Sequence, residues 1–276
     1  MTMIPGIGSW LTKREALTPD KEAVVDGGRR LTYVQLNRRV NRLARALQDA
    51  DIKIGDRLGV LSYNCLEFVE AIMATAKLGV ILVPLNWRLT PTELAFILND
   101  SKTETLLFDP QLAELTKGVM DKVSLKKSIV LGSQETLDAQ AYDPLLAAQS
   151  EEEPKSYLAP DLNTWHIIMY TAGTTGRPKG AILRQGASFW NAVNLTLAMD
   201  FTSRDRNLAV LPMFHIGGIG LFTLPMLYIG GAVIIQRTFD PAETLKLLRS
   251  EKVSLFFGVA AMFLFLIQHA DFKAEA

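Results

Sequence analysis

Three threonines, three glycines and one lysine fall within the eleven residues Tyr170-Thr-Ala-Gly-Thr-Thr-Gly-Arg-Pro-Lys-Gly180. Glycine lets a backbone turn through positive φ and bring its N–H groups close to a ligand. Successive N–H groups aimed into one concavity form an anion nest, to which threonine hydroxyls add donors. Lys179 adds a mobile positive charge for a phosphate oxygen. The chemistry on offer is a triphosphate cradle, although a polar turn between two strands would use the same residue types.

Two familiar nucleotide loops are excluded by direct comparison. A P-loop laid on Gly173 would need glycine at position 178 and Ser or Thr at position 180, where the chain has Pro178 and Gly180. The G-x-G-x-x-G dinucleotide pattern fails here and again at Gly217-Gly-Ile-Gly220. A second candidate is His215, one of only three histidines, within Pro212-Met-Phe-His-Ile-Gly-Gly218. A histidine among apolar residues serves a core as readily as a site. Three scattered histidines and one cysteine make no tetrahedral metal set. No Gly-x-Ser-x-Gly elbow supports a serine hydrolase.

These residues need a scaffold, and the pattern supplies an α/β one. Thr32-x-x-Gln35, Asn64-x-x-Glu67, Thr90-Pro-x-Glu93 and Asp240-Pro-x-Glu243 each read as a helix start of the capping-box kind. Leu36, Val40, Leu43, Ala44 and Leu47 form one helical stripe, while Phe68, Ile72 and Ala76 lead to Gly79 as a C-terminal cap. Strands are expected at Leu58–Ser62, Val80–Val83, Glu104–Phe108, Ser128–Leu131, Trp165–Thr171 and Ser254–Phe257. Between Arg206 and Arg237 there is no charged residue, a span long enough to cross a bilayer. Repeated Gly and Pro break it into buried strands at Leu208–Leu211 and Ala232–Ile235 around a short apolar helix. Ala260–Gln268 reads as a buried helix, and Gln149–Lys155 as a solvated connection marking a layer change near 149–158.

Composition fits a globular enzyme: 49% apolar, 21% charged, with 29 basic and 29 acidic residues over 276. That balance gives no electrostatic case for nucleic acid or an anionic membrane. The single Cys65, set among apolar residues, reads as a structural thiol in a reducing, cytoplasmic compartment, and no signal peptide is apparent.

The glycine-rich stretch resembles the signature loop of the adenylate-forming superfamily, usually Tyr-Thr-Ser-Gly-Thr-Thr-Gly-x-Pro-Lys-Gly, with Ala172 in place of serine. Leu31–Leu36, Ala76–Asn86 and Leu211–Gly218 resemble three further family signatures in the same order. The resemblance implies layered, largely parallel sheets flanked by helices, as in the N-terminal domain of acyl-CoA synthetases. The nucleotide would lie where two α/β layers meet. It also implies ATP-dependent conversion of a fatty or aryl acid to acyl-adenylate and then acyl-CoA. Small-molecule acid, ATP and CoA would be the partners.

In that scheme Thr171, Thr174, Thr175 and the backbone of Ala172, Gly173 and Gly176 grip the β- and γ-phosphates, and Lys179 neutralises the departing pyrophosphate. Thr171 is the implied Mg²⁺ ligand, with Phe214, His215 and Gly217 lining the acyl site. Histidine at 215 disfavours amino acids, because relatives that activate them use an aspartate in this region. Gln185 stands where many relatives have histidine, and Ala260 and Ala270 where proline is common. The family's Thr-Glu segment, ribose-binding Asp and small C-terminal domain with a catalytic Lys are not recognisable. The expectation is therefore an incomplete N-terminal AMP-binding domain, inactive alone, for which a complementing C-terminal polypeptide would be a partner. A non-catalytic binding fragment and another adenylate-forming enzyme remain the alternatives.

Overall fold

The computed structural model describes residues 5–155, 159–172 and 177–272. The chain opens with α1 (Ser9–Leu17), the hairpin β1 (Glu22–Asp26) and β2 (Arg29–Thr32), and the long helix α2 (Tyr33–Asp49). Next come β3 (Arg57–Leu61), α3 (Leu66–Leu78), β4 (Ile81–Pro84), α4 (Pro91–Asp100) and β5 (Thr105–Phe108). They are followed by α5 (Ala113–Met120), β6 (Lys127–Val130), β7 (Gln140–Ala141) and α6 (Tyr142–Ala147). The hairpin β8 (Trp165–Thr171) and β9 (Lys179–Arg184) precedes α7 (Gln185–Ala198), β10 (Arg206–Ala209) and α8 (Thr223–Ile229). The last elements are β11 (Ala232–Ile235), α9 (Pro241–Ser250), β12 (Leu255–Phe256) and α10 (Ala260–Gln268).

The strands make a seven-stranded sheet, β7-β6-β5-β3-β4-β8-β9, and a five-stranded sheet, β12-β10-β11-β1-β2. Every pairing is parallel except within the two hairpins. Period-two side chains sort residues to the two faces. Val60, Leu82, Val233 and Ile235 turn into a shared central core with α2 and α3. Ile81, Val83 and Phe108 pack on the other side against Leu94 and Leu98 of α4, and Ile234 and Leu208 pack toward Leu247 and Leu248 of α9. Both faces of the inner strands of each sheet are thus covered, the usual condition for parallel sheets, while the edge strands β2 and β9 stay largely exposed.

Helix α2 behaves as its sequence dictates. Thr32 and Gln35 complete a reciprocal capping box, and the stripe from Leu36 to Leu47 is fully buried. Helix α3 is more extreme, with all 13 residues buried, and its Gly79 cap takes φ 69°. Its charged residues therefore need partners. Glu70 pairs with Arg39 Nε at 2.5 Å and accepts the Tyr142 hydroxyl at 2.6 Å. Burial still pushes its carboxyl up, Arg39 opposing this only in part. Lys77 reaches Glu153 at 2.6 Å.

Several expectations are corrected. Strands Trp165–Thr171 and Ala232–Ile235 form with the expected bounds, the other expected strands are offset by one or two residues, and the hairpin β1–β2, β7 and the edge strand β9 were not among those expected. Strand β7, before the expected layer change near 149–158, and strand β8, after it, belong to the same seven-stranded sheet, in which β8 pairs with β4. The crossings between sheets are carried by α2 and α7 instead. Residues 150–153 and 155 are exposed and Gln149 and Pro154 half-buried, yet Glu153 binds Lys77, Asn37 and Thr12 while Glu151 pairs with Arg42 at 2.8 Å. Helix α10 forms, but Leu266 is its one buried residue, with Phe263, Leu264, Phe265 and Ile267 exposed. Its apolar run shows what the helix would bury, not that these residues bury it. The uncharged stretch folds as β10, α8 and β11, and among the described residues no helix is long and apolar enough to cross a membrane.

Candidate functional site

The glycine-rich segment connects the two strands of the β8–β9 hairpin. Antiparallel register sets Thr171 opposite Lys179, and both are exposed at the mouth of the turn with Ala172. Gly173, Thr174, Thr175 and Gly176 lie outside the described residues. Lys179 makes no ion pair with another described residue.

Behind this hairpin, the β8–β9 register slips by one between Trp165 and Ile167, leaving His166 without a partner opposite. Its ring is buried, with Nδ1 3.1 Å from the Ser188 hydroxyl of α7 and Nε2 without a partner among the described residues. Burial lowers its pKa to about 4, the Ile72 backbone offsetting this only in part. Gln185 is also fully buried and donates to Ala76 O at 2.8 Å. Its side chain therefore ties α7 to α3.

The second element is the loop that follows β10. His215 is exposed, and its Nδ1 accepts the Gly217 N–H at 3.1 Å. Nδ1 as acceptor fixes the neutral tautomer as Nε2–H, a hydrogen-bond donor. The loop closes tightly, since a Cβ on Gly218 would lie 2.3 Å from Pro212 O. Beneath it Leu211, Gly217, Gly218, Leu221, Phe222 and Phe257 line an apolar recess of about 10 Å³, room for one water.

Asn64, just past β3, shows that the two elements share an edge. Its amide contacts Leu211 O at 3.0 Å and the Met213 N–H at 2.8 Å, so the carboxyl ends of β3 and β10 meet. Strand β3 is parallel to β4, and β4 to β8, which places the Thr171 end of the hairpin on the same side. Aromatic residues gather along this edge. Trp87, after β4, lies 4.8 Å from Tyr63 and edge-on to Phe214 at 6.1 Å. The Arg88 guanidinium stands 4.9 Å over Trp87 and 5.6 Å over Phe214, adding positive charge. Arg237, after β11, stacks on Tyr63 at 4.7 Å and pairs with Asp109 at 2.6 Å.

Of the expected site residues, the structure brings Thr171, Ala172 and Lys179 together at one turn and Phe214, His215 and Gly217 at another. Trp87, Arg88, Tyr63 and Arg237 were missed. Their only sequence signal is position, each standing just beyond a buried strand. Among the described residues no cluster of three or more His, Cys, Asp or Glu is arranged to hold a metal. Cys65 is buried, which pushes its thiol up and makes it inert.

Parallel strands of two sheets ending on a common edge, with loops of polar and glycine residues beyond them, define an α/β protein of the ligand-binding type. The chain belongs to the AMP-binding enzyme family, whose model matches residues 11–276. A feruloyl-CoA synthase of Amycolatopsis sp is 36% identical over 98% of this chain and 52% of its own length. An indoleacetate–CoA ligase of Aromatoleum aromaticum is 32% identical over 90% of this chain and 48% of its own. The N-terminal domain of FACL13 from Mycobacterium tuberculosis superposes with a TM-score of 0.88 at 28% identity, covering 97% of this chain and 66% of that one. The chain thus spans about half the length of these curated relatives.

Proposed function

We propose that this chain takes part in ATP-dependent activation of an aryl or fatty acid, first to an acyl-adenylate and then to an acyl-CoA. The observation that carries this reading is the shared carboxyl edge of the Thr171–Lys179 hairpin and the Phe214–His215 loop. The names of the relatives support it, two of them being aryl-acid–CoA ligases.

In the first step a carboxylate oxygen bonds to the α-phosphorus of ATP while the α–β anhydride bond breaks, releasing pyrophosphate. In the second the CoA sulfur bonds to the acyl carbon, AMP leaves with the electron pair, and the thiol proton passes to solvent. The hairpin N–H groups, Thr171 and Lys179 would hold the β- and γ-phosphates, and Lys179 would offset charge growing on pyrophosphate. The exposed Thr171 hydroxyl fits Mg²⁺, which commonly takes few protein ligands beside phosphate oxygens and water. Bound there, the ion would supply further neutralisation of phosphate charge. The Nε2–H of His215 would donate to the acid's carboxylate and orient it. A recess of about 10 Å³ admits no acyl body, so Leu221 or Phe257 must move aside, or the acid must lie across the Trp87–Phe214 edge.

The test is AMP formation from ATP, Mg²⁺ and CoA with a panel of aryl and fatty acids. It is run on residues 1–276 alone and with the second half of the feruloyl-CoA synthase relative added. The His215→Ala variant should lose about tenfold or more in kcat/KM for the acid. Its calorimetric ATP affinity should stay unchanged. Equal losses of ATP affinity and acid turnover would make His215 structural. Acid-independent AMP levels throughout, with neither ATP nor acid bound, would overturn the proposed activity. Binding without turnover would favour a nucleotide- and acyl-binding role.

A further inference from the structure

We infer that Asn64 is a positioning residue for the acyl end of the proposed site, fixing the His215 loop of one sheet to the end of a strand in the other. The inference rests on the activity proposed above. Asn64 is 4% exposed, and a carboxamide offers two donors and one acceptor oxygen. Its Nδ2 faces Leu211 O at 3.0 Å, Gln236 O at 3.2 Å and Ala209 O at 3.5 Å, while Oδ1 takes the Met213 N–H at 2.8 Å. Its own backbone N–H donates to Arg237 O at 3.2 Å. Every one of these partners is main chain at or just beyond the carboxyl ends of β10 and β11, so one residue just past β3 of the seven-stranded sheet holds two strand ends of the five-stranded sheet.

A residue in this place would ordinarily serve its own helix, and Asn64 does not. Cys65 is the N-cap of α3, and the Leu66 N–H is taken by Asp26 Oδ2 at 3.0 Å. The amide is instead spent on the loop. Met213, which it anchors, is fully buried and two residues from His215. From there the chain turns through His215 N–H to Pro212 O at 3.1 Å and Gly218 N–H to His215 O at 3.0 Å. A slip at Met213 therefore rotates the imidazole and Phe214 together. Few side chains could substitute. Aspartate keeps the acceptor for Met213 but sets a charge against carbonyl oxygens. Leucine matches the volume and leaves a buried N–H and carbonyls unpaired.

Two variants, Asn64→Leu and Asn64→Asp, test this with amide hydrogen exchange and with separate titrations of ferulate, dodecanoate and ATP. In both, exchange at 211–217 should accelerate while the β8–β9 amides remain protected. Affinity for whichever acid the wild type binds should fall on the order of ten- to a hundred-fold, as for a misplaced substrate-positioning group. ATP affinity should stay within about twofold, since the hairpin is untouched. Acid and ATP affinities falling together, or exchange rising through both sheets, would overturn the inference by showing a general structural role. Faster loop exchange with acid affinity unchanged would overturn it equally. If the wild type binds neither acid, the proposed activity fails instead, and the inference is then decided by exchange at 211–217 alone.

Discussion

Replacing Lys179 by alanine should slow pyrophosphate release by roughly ten- to a hundred-fold with the fold intact, the scale of one lost charge-assisted contact. The lysine stands opposite Thr171 across the mouth of the β8–β9 turn, exposed and unpaired with any described residue. Nothing in the core rests on it, so its removal should leave the unfolding midpoint unchanged. In the proposed reaction an ammonium there would meet the β- and γ-phosphates as negative charge moves onto the leaving group. Its effect should therefore fall on the rate of the adenylation step more than on acid affinity. Stopped-flow pyrophosphate release, with a denaturation curve for the same sample, separates the two. Release at the wild-type rate would remove Lys179 from the mechanism.

Acidification from about pH 6.5 to about pH 4 should cost roughly 3 kcal/mol of stability through His166, whose pKa is lowered from 6.5 to about 4 by burial. The sign follows from proton uptake. Below pH 6.5 the unfolded chain binds a proton that the folded ring refuses until about pH 4, so protonation favours unfolding throughout that window. Above it both states are neutral and the full stability is present. Urea midpoints measured from pH 7.5 to 4.5 should fall steeply in the wild type and less so in His166→Asn, which keeps a partner for Ser188. Parallel curves would show that His166 protonates freely in the fold. Because the ring sits on β8 behind the Thr171–Lys179 turn, hairpin amides should lose exchange protection over the same range.

What the sequence made legible was local. The boxes at Thr32 and Thr90 formed because hydroxyl and carboxyl or amide partners stood three residues apart, a distance no tertiary contact can alter. Strand Trp165–Thr171 formed as expected, with Thr171 opposite Lys179 across its turn, because its own apolar run declares it. Asn64 looked like a third box and was not, since four backbone groups distant in sequence outbid its own helix. Parallel pairing of β1 with β11 was illegible for the same reason, joining residues near position 24 with those near 233. The Tyr63–Trp87–Phe214 edge depends on three loops meeting, and the anchoring of Glu153 on Lys77 on two charges far apart in the chain. Helix α10 shows the limit of apolarity as a guide, because hydrophobic residues specify a buried face without specifying what covers it.

On the function proposed above, one edge of this molecule holds phosphate at the 171–180 hairpin and an acid at the 211–218 loop. Amide hydrogen exchange with ATP and Mg²⁺, with ferulate or dodecanoate, and with both together measures it directly. ATP should slow exchange at 171–180, the acid should slow it at 211–218, and the pair together should protect both segments more than either alone. Protection confined to the opposite strand ends, around Lys53, Lys102 and Lys127, or absent from both segments while ligand binds, would place the site elsewhere and overturn the proposed function.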